Sequence, residues 1–311
     1  MVLSPLPQNA SQYEVRFLKK IHLLYIHISI LLSGFSALFA QLISQNPLVI
    51  TFGRVFFSTI FLALIATISR QSIKIGNIKD KYFFVIAGFI LAIHWSSFIF
   101  AIQSSSVAIG TITFATFPVF IAFLEPLLFR TKFNTKNLFF ACLSLIGVCI
   151  IAINPSNYGN NAHYVGIIFG LLASISYAFL VLLNKRFSSR YNWNVILFHQ
   201  QGIAALLLLP IMLIIRPSVG SLDFGLLLVY GILFTAISHG LFVKGLRTTK
   251  GSTAGIISGL EPIYAIAFSA ILLAEIPRLQ ELMGGIIVVL VAVYITVRRE
   301  PPTLTKTKKI Q

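Results

Sequence analysis

Charged residues are scarce in this sequence, and acidic residues are the scarcest: 8 Asp and Glu stand against 24 Lys and Arg in 311 residues. Charged residues make up 10% of the chain and apolar residues 57%, whereas a soluble domain carries about 25% charged residues. This shortage excludes a soluble globular protein. The apolar runs are roughly 20 residues long and lack the alternation of barrel strands. The sequence therefore predicts an all-α integral membrane protein.

Catalytic and metal-binding motifs are also lacking. The sequence contains no His-Glu-x-x-His, no Gly-x-Ser-x-Gly and no Gly-x4-Gly-Lys-Ser/Thr motif, and its nearest match, "GSTAG", has Thr at the centre. We therefore expect no ATP hydrolysis, no cofactor and no metal. A membrane enzyme or a channel is the alternative of another class, but neither clustered catalytic groups nor rings of charge support it. Cys142 and Cys149 lie seven residues apart on one apolar run, too far to form a disulfide within one helix.

Ten apolar runs are long enough to cross a membrane. They are residues 21–41, 48–68, 82–102, 107–129, 137–154, 164–184, 194–215, 224–244, 252–273 and 281–297. If the N-terminus is cytoplasmic, 21 of the 24 Lys and Arg lie on the cytoplasmic side, as the positive-inside rule requires. The sequence thus predicts ten spans with both termini cytoplasmic, in a cell membrane and most simply a bacterial inner membrane.

The basic excess reflects this topology. The net charge is +16, but the basic residues lie in short gaps between spans and not on one soluble face. The predicted partner of these residues is therefore anionic lipid and no nucleic acid. The sequence does not indicate an oligomeric state.

The two halves of the chain resemble each other. Residues 31–39, "LLSGFSALF", resemble residues 171–179, and residues 98–118 align with residues 242–262 at an offset of 144, which places Pro118 opposite Pro262. Five helices per half is an odd number, so the second half enters the membrane with opposite polarity. This predicts ten transmembrane helices in two inverted five-helix repeats, the plan of many secondary transporters. The expected parts are a cytoplasmic segment 1–20, a first repeat 21–154, an external linker 155–163, a second repeat 164–298 and a basic cytoplasmic tail 299–311.

Several segments together resemble the EamA-type branch of the drug/metabolite transporter superfamily. They are "FGRVFF" in span 2, "HWSSFIFAIQSSSVAIGTITFATFPVF" across spans 3 and 4, "GLLASISYAFLVLLNKRF" in span 6 and "GLEPIYAIAFSAILLAEIP" in span 9. The resemblance implies a central cavity lined by spans 1, 3, 4, 6, 8 and 9, and transport of amino acids or related small metabolites, often outward. Other branches carry nucleotide sugars or phosphorylated compounds. The acidic turn that usually ends span 4 is replaced here by "LLFRTKF", while span 9 keeps it at Glu275.

Glu261 is the first candidate for a functional residue, because an ionisable side chain within a span is costly. It lies nine residues into span 9, near the midplane, and is followed by Pro262, which removes a backbone donor and frees a carbonyl group. Gly255 and Gly259 precede it and permit close helix approach. Glu261 is predicted to bind a substrate ammonium group or to take up a proton. The alternative is a structural carboxylate that holds the kinked helix to a neighbour.

The other candidates lie in spans 2, 3, 6, 8 and 9. Arg54 could snorkel outward, pair with Glu261 or bind a substrate carboxylate. His94 and His239 lie at nearly equivalent positions and could relay protons or simply pack. The side chains that could face an amphipathic substrate or pack in the bundle are Trp95, Tyr177 and Tyr264.

These observations favour a secondary-active exporter of small metabolites, amino acids or related compounds, that works by alternating access around a midplane site. Protons are the candidate coupling ion. The alternative in the same class is an uptake or exchange carrier for a nucleotide-like or S-adenosyl metabolite.

Overall fold

The computed structural model describes residues 12–129, 135–152, 160–188, 190–245 and 257–297. Within these ranges the chain is helical, with short connections and no strand. The helices are α1 Gln12–Leu42, α2 Pro47–Ile68, α3 Ile78–Ser104, α4 Val107–Phe114, α5 Phe117–Phe129, α6 Thr135–Ala152, α7 Asn160–Ser188, α8 Trp193–Ile215, α9 Ser221–Val229, a π-helix Tyr230–Ile237, α10 Ser238–Gly245, α11 Glu261–Leu272 and α12 Leu279–Val297.

The described helices match the apolar runs of the sequence. Seven segments are long and apolar enough to cross a membrane, namely Lys20–Leu42, Pro47–Ile68, Ile78–Ser104, Val107–Leu128, Asn161–Asn184, Trp193–Ile215 and Ser221–Gly245. Three shorter apolar helices, Cys142–Ile151, Glu261–Leu272 and Leu279–Val291, fall on the remaining predicted spans. The chain is a multi-pass helical membrane protein, and the count of ten crossings with inverted polarity stays a prediction.

The fourth apolar segment is broken at Ala115 and Thr116 into α4 and α5. Pro118 accounts for the break, because it has no N–H to donate to the carbonyl oxygen of Phe114 and its ring clashes with that carbonyl. The Thr116 side chain supplies a hydrogen bond at the break, because its Oγ1 donates to the carbonyl oxygen of Thr113 at 2.7 Å. The same Oγ1 lies 2.8 Å from Ser174 Oγ. The break is therefore tied to the second half of the chain by a buried hydroxyl pair.

A second break precedes α11, at Gly259 and Leu260. Pro262 follows it at the same distance at which Pro118 follows the first break, so the two breaks are 144 residues apart, the offset of the sequence repeat. Gly259 is buried in this turn, whereas Gly255 lies outside the described residues. Both breaks place the end of a short helix in the interior of the bundle.

A π-helix, Tyr230–Ile237, joins α9 to α10. Within it, Thr235 Oγ1 donates to the carbonyl oxygen of Tyr230, five residues earlier, at 2.9 Å. A π-helical turn is a departure from the α-helix that occurs most often at functional sites. The residues that contact Tyr230 and Thr235 are therefore candidates for a functional site.

The two halves of the chain pack through corresponding pairs of helices. α3 packs on α7, and the π-helix and α10 occupy the corresponding place against α1 and α2. α2 packs on α8, and α6 on α12. This pairing has the pseudo-twofold arrangement that two structural repeats produce, and it leaves α1, α3, α7 and α10 around the centre of the bundle.

Helices α6 and α12 touch at glycines. A Cβ added to Gly147 would lie 2.9 Å from the carbonyl oxygen of Gly284, and a Cβ added to Gly284 would meet the carbonyl oxygen of Gly147. Since the obstacle on each side is backbone, neither position has room for a side chain. By contrast, a Cβ on Gly225 in α9 would meet no atom within 4 Å.

Gly284→Ala should therefore destabilise the protein, by about 1–3 kcal/mol, the usual cost of overpacking. Gly225→Ala is the matched control, and it should be neutral or slightly stabilising, because Ala favours helix over Gly by about 1 kcal/mol. Thermal unfolding of both purified variants in detergent micelles tests this. Equal unfolding temperatures for the two variants would contradict the proposed backbone contact.

Candidate functional site

A small cavity of about 50 Å³, lined by polar and aromatic side chains, lies between the two halves of the chain. It is lined by Ser29, Ile30, Ser33 and Ser36 of α1, Arg54 of α2, His94, Trp95 and Phe98 of α3, Phe114 of α4, Phe117 of α5, Tyr177 of α7, His239 and Phe242 of α10, Ser258, and Glu261 of α11. Ligand pockets usually measure about 300–1,000 Å³. The helices around this cavity must therefore separate before it can admit a metabolite.

Arg54 is buried in the cavity wall with a side-chain exposure of 3%, so it does not snorkel to the surface. Its Nε donates to Thr235 Oγ1 at 2.8 Å and its Nη1 donates to Tyr230 Oη at 3.2 Å. The guanidinium carbon lies 4.0 Å from the ring centroid of Trp95 and 4.6 Å from that of Tyr230. Two hydroxyls and two aromatic faces thus offset part of the cost of removing this cation from water.

The π-helix explains how both hydroxyls reach the same guanidinium group. Tyr230 and Thr235 are five residues apart, the spacing of a π-helical hydrogen bond, and this register brings their oxygens to one side of the helix. The sequence analysis missed both residues. No sequence signal marks them, because they lie more than 170 positions after Arg54 in an ordinary apolar run.

Glu261 is the first residue of α11 and lines the same cavity as Arg54. The charges of Glu261 and Arg54 act on each other, yet no carboxylate of the described chain lies within 4.0 Å of an Arg54 nitrogen. Among the described residues, the carboxylate also has no hydrogen-bond donor. Both charges are thus available to a molecule placed between them.

Aromatic rings fill the space around the two charges. His94 donates from Nδ1 to the carbonyl oxygen of Ala173 at 2.9 Å, and its ring lies 4.9 Å from that of Tyr177. His239 stands edge-on to Trp95 at 5.4 Å. The structure therefore brings together six of the predicted residues in one site: Arg54, His94, Trp95, Tyr177, His239 and Glu261.

Tyr264 does not line the cavity. It packs against α1, where a Cβ on Gly34 would lie 2.6 Å from the Cβ of Tyr264, and its ring stacks beside Phe268. This contact makes it part of the packing between α11 and α1. The lining residues that the sequence analysis missed include Ser29, Ile30, Phe98, Phe114, Phe242 and Ser258.

Serine side chains line the α1 wall of the cavity and tie it to α10. Ser29 Oγ donates to the carbonyl oxygen of Ser238 at 2.8 Å, and Ser238 Oγ donates back to the carbonyl oxygen of Ser29 at 3.0 Å. Ser36 Oγ lies 3.3 Å from Tyr230 Oη. These bonds connect the first helix to the segment that holds Arg54.

The bundle end that carries the α1–α2 and α3–α4 turns, predicted to be external, is closed by side-chain hydrogen bonds. Gln103 Nε2 donates to the carbonyl oxygens of Ala40, Ile43 and Gln45 at 3.0–3.2 Å. Gln45 Nε2 in turn donates to Asp223 at 2.7 Å. This chain of amides fastens the end of α1 to α3 on one side and to α9 on the other.

Glu275, in the turn after α11, links the two repeats at the same end. Its carboxylate accepts from the N–H of Val107 at 2.9 Å and so caps the N-terminus of α4. Burial raises the pKa of Glu275, and this hydrogen bond opposes the rise. The acidic turn that only the second repeat retains thus stabilises a helix of the first.

Fold and cavity together define a class of protein: a multi-pass helical membrane protein with a polar and aromatic site between two repeats, as in carriers of small molecules. The chain belongs to the EamA-like transporter family. The model of this family matches it twice, over residues 20–153 and residues 164–298.

Similar proteins include an uncharacterized transporter of Archaeoglobus fulgidus, 30% identical over 84% of this chain and 90% of that protein. Another is the uncharacterized transporter YxxF of Bacillus subtilis, 25% identical over 88% of each chain. The S-adenosylmethionine uptake transporter of Rickettsia prowazekii is 21% identical over 79% of this chain and 81% of that protein. A crystal structure with 13% sequence identity superimposes with a TM-score of 0.63 over 90% of this chain and 98% of that chain, which shows the same fold.

Thr235→Val should destabilise the protein by about 1.5–3 kcal/mol, the range for hydrogen bonds to charged groups. The substitution removes the acceptor for Arg54 Nε and leaves a buried N–H without a partner. Thr235→Ser keeps the hydroxyl and should cost less. Thermal unfolding in detergent tests the pair, and an equal loss of stability in both variants would contradict a role for the hydroxyl.

Glu275→Gln should become more stable relative to the wild type as the pH rises. Because its pKa is raised on folding, the wild-type carboxyl binds its proton more tightly in the folded protein, and stability falls as the pH rises above the ordinary value of 4.5. Gln cannot ionise but still offers an oxygen to Val107. Unfolding temperatures at about pH 4 and about pH 7 test this sign, and a constant difference between the two proteins would refute it.

Proposed function

We propose that this protein is a secondary carrier that exports a small amino-acid-like metabolite by alternating access around the central cavity. The observation that carries the proposal is the presence of one buried cation, Arg54, and one carboxylate, Glu261, in the lining of the same cavity without a direct ion pair in the described chain. A zwitterion matches this arrangement, with its carboxylate at Arg54 and its ammonium group at Glu261. The surrounding rings suit an apolar or aromatic side chain.

The size of the cavity and the repeats support alternating access. A space of about 50 Å³ holds no more than a few waters, so the site must widen to take up a metabolite. Two repeats of opposite polarity can open it first to one side and then to the other. The hydrogen bonds of Gln103, Gln45 and Glu275 would close one side of it.

A second candidate is uptake or exchange of an S-adenosyl compound. The S-adenosylmethionine uptake transporter of Rickettsia prowazekii is similar over most of both chains. Aromatic faces beside a carboxylate attract sulfonium as well as ammonium groups. The aromatic lining of Trp95, Phe114 and Tyr177 therefore fits this substrate also.

Counterflow in proteoliposomes separates these candidates. Vesicles preloaded with an unlabelled amino acid or S-adenosylmethionine are given the same labelled compound outside, with and without a proton gradient. Saturable counterflow identifies the substrate, and accumulation driven by the gradient identifies proton coupling and its direction. Flux without saturation for every compound would contradict a carrier.

Glu261→Gln should reduce transport at least roughly tenfold, because a charge-assisted interaction worth about 1.5–3 kcal/mol is lost. If Glu261 binds the substrate, counterflow and gradient-driven accumulation fall together. If it carries the coupled proton, counterflow persists and accumulation is lost. Glu281→Gln is the matched control, since Glu281 is buried outside the cavity and should not affect transport. Wild-type transport by Glu261→Gln at every pH would exclude both roles.

A further inference from the structure

A second cavity lies on the membrane-facing surface, in a groove between α2 and α8. Its volume is about 360 Å³, and its walls include Phe52, Phe56 and Ile60 of α2 and Gly202, Leu206 and Leu209 of α8. Phe56, Ile60 and Leu206 have exposures of 41%, 50% and 68%. Since both flanking helices are long enough to span a membrane, this exposed apolar surface faces lipid chains.

The dimensions of the groove match one acyl chain. Phe52 and Ile60 are eight residues apart, or about 12 Å along the helix, and Gly202 and Leu209 add a parallel wall of about 10 Å. Ile60 is eight residues, or about 12 Å, before Ile68, so the groove lies around the middle of α2 and receives the distal part of a chain that enters from the Ile68 end. Gly202 keeps the groove open, because a Cβ there would lie 3.3 Å from Thr59 Cγ2 on the opposite wall.

Basic residues stand at one end of the groove. His199, in its wall, donates from Nε2 to the carbonyl oxygen of Ile73 at 2.7 Å, which places the exposed Lys74 beside that end. Asn194 Nδ2 donates to Gln71 Oε1 at 2.7 Å, and the exposed Arg70 precedes Gln71. Asp80, the acidic residue nearest to Lys74 in the sequence, is bound to Arg190 and Tyr191.

We propose that this groove binds one acyl chain of an anionic phospholipid, whose headgroup lies against Arg70 and Lys74. The apolar wall holds the acyl chain. Each of the two cations raises the affinity for an anionic headgroup over a neutral one by roughly fivefold. The bound lipid contacts α2 of the first repeat and α8 of the second. It is therefore in a position to respond to, and to oppose, movement between the repeats.

Native mass spectrometry of the purified full chain tests the proposal. The protein is titrated with dioleoyl phosphatidylglycerol or with dioleoyl phosphatidylcholine from detergent micelles. We expect one lipid site that prefers phosphatidylglycerol by roughly tenfold or more. Equal binding of the two lipids would overturn the proposed headgroup recognition.

Two variants locate the site. Gly202→Leu fills the groove and should remove the bound phosphatidylglycerol, while Gly225→Leu, the same change at an open position of α9, should retain it. Arg70→Gln with Lys74→Gln changes exposed side chains, so folding should be preserved, and the preference for phosphatidylglycerol should fall roughly tenfold. Retention of the lipid by Gly202→Leu, or an unchanged preference in the double variant, would exclude this groove.

Discussion

The burial of the Arg54 guanidinium is the constraint on which the centre of this protein depends. A cation removed from water is costly, and here two hydroxyls and two aromatic faces offset the cost. Both hydroxyls come from the π-helix. The hydrogen bonds to Arg54 stabilise the π-helical register, and that register in turn offsets the cost of burying the Arg54 guanidinium. Together, α2 of the first repeat and the π-helix of the second form one polar unit beside the cavity.

Around this unit the two repeats share architecture but differ in chemistry. Pro118 and Pro262 break corresponding helices at corresponding places, and each break brings a helix start into the bundle. In the second repeat that start carries Glu261, and in the first it carries Phe117. The same backbone device therefore presents a carboxylate on one side of the cavity and an aromatic ring on the other. If the proposed substrate binds between them, it would meet two different surfaces, which would fix its orientation.

Much of the fold was predictable because long apolar runs are read directly. The run at residues 48–68 became α2, Pro47–Ile68. Glu261, which its depth in span 9 places near the midplane, is half-buried and lines the central cavity. The face that each helix turns inward was not predictable, because these helices are apolar on every side and give no amphipathic signal. For that reason Tyr264 was predicted to face the substrate although it does not line the cavity, whereas Phe98, Phe114 and Phe242, which do line it, were not predicted. Tyr230 and Thr235, the hydrogen-bond partners of Arg54, could not be predicted for a related reason. The π-helix that carries them depends on tertiary contacts and not on a local sequence pattern.

The pairing of one positive and one negative side chain in the cavity has an electrical consequence. If the protein works by the proposed alternating access with Arg54 and Glu261 both ionised, the empty site would have no net charge, and its reorientation would move no charge through the membrane potential. A zwitterionic substrate leaves that balance unchanged, whereas a sulfonium compound adds one positive charge, worth about 2.3 kcal/mol per 100 mV. The voltage across the membrane would then drive the movement of one kind of cargo and leave the other untouched.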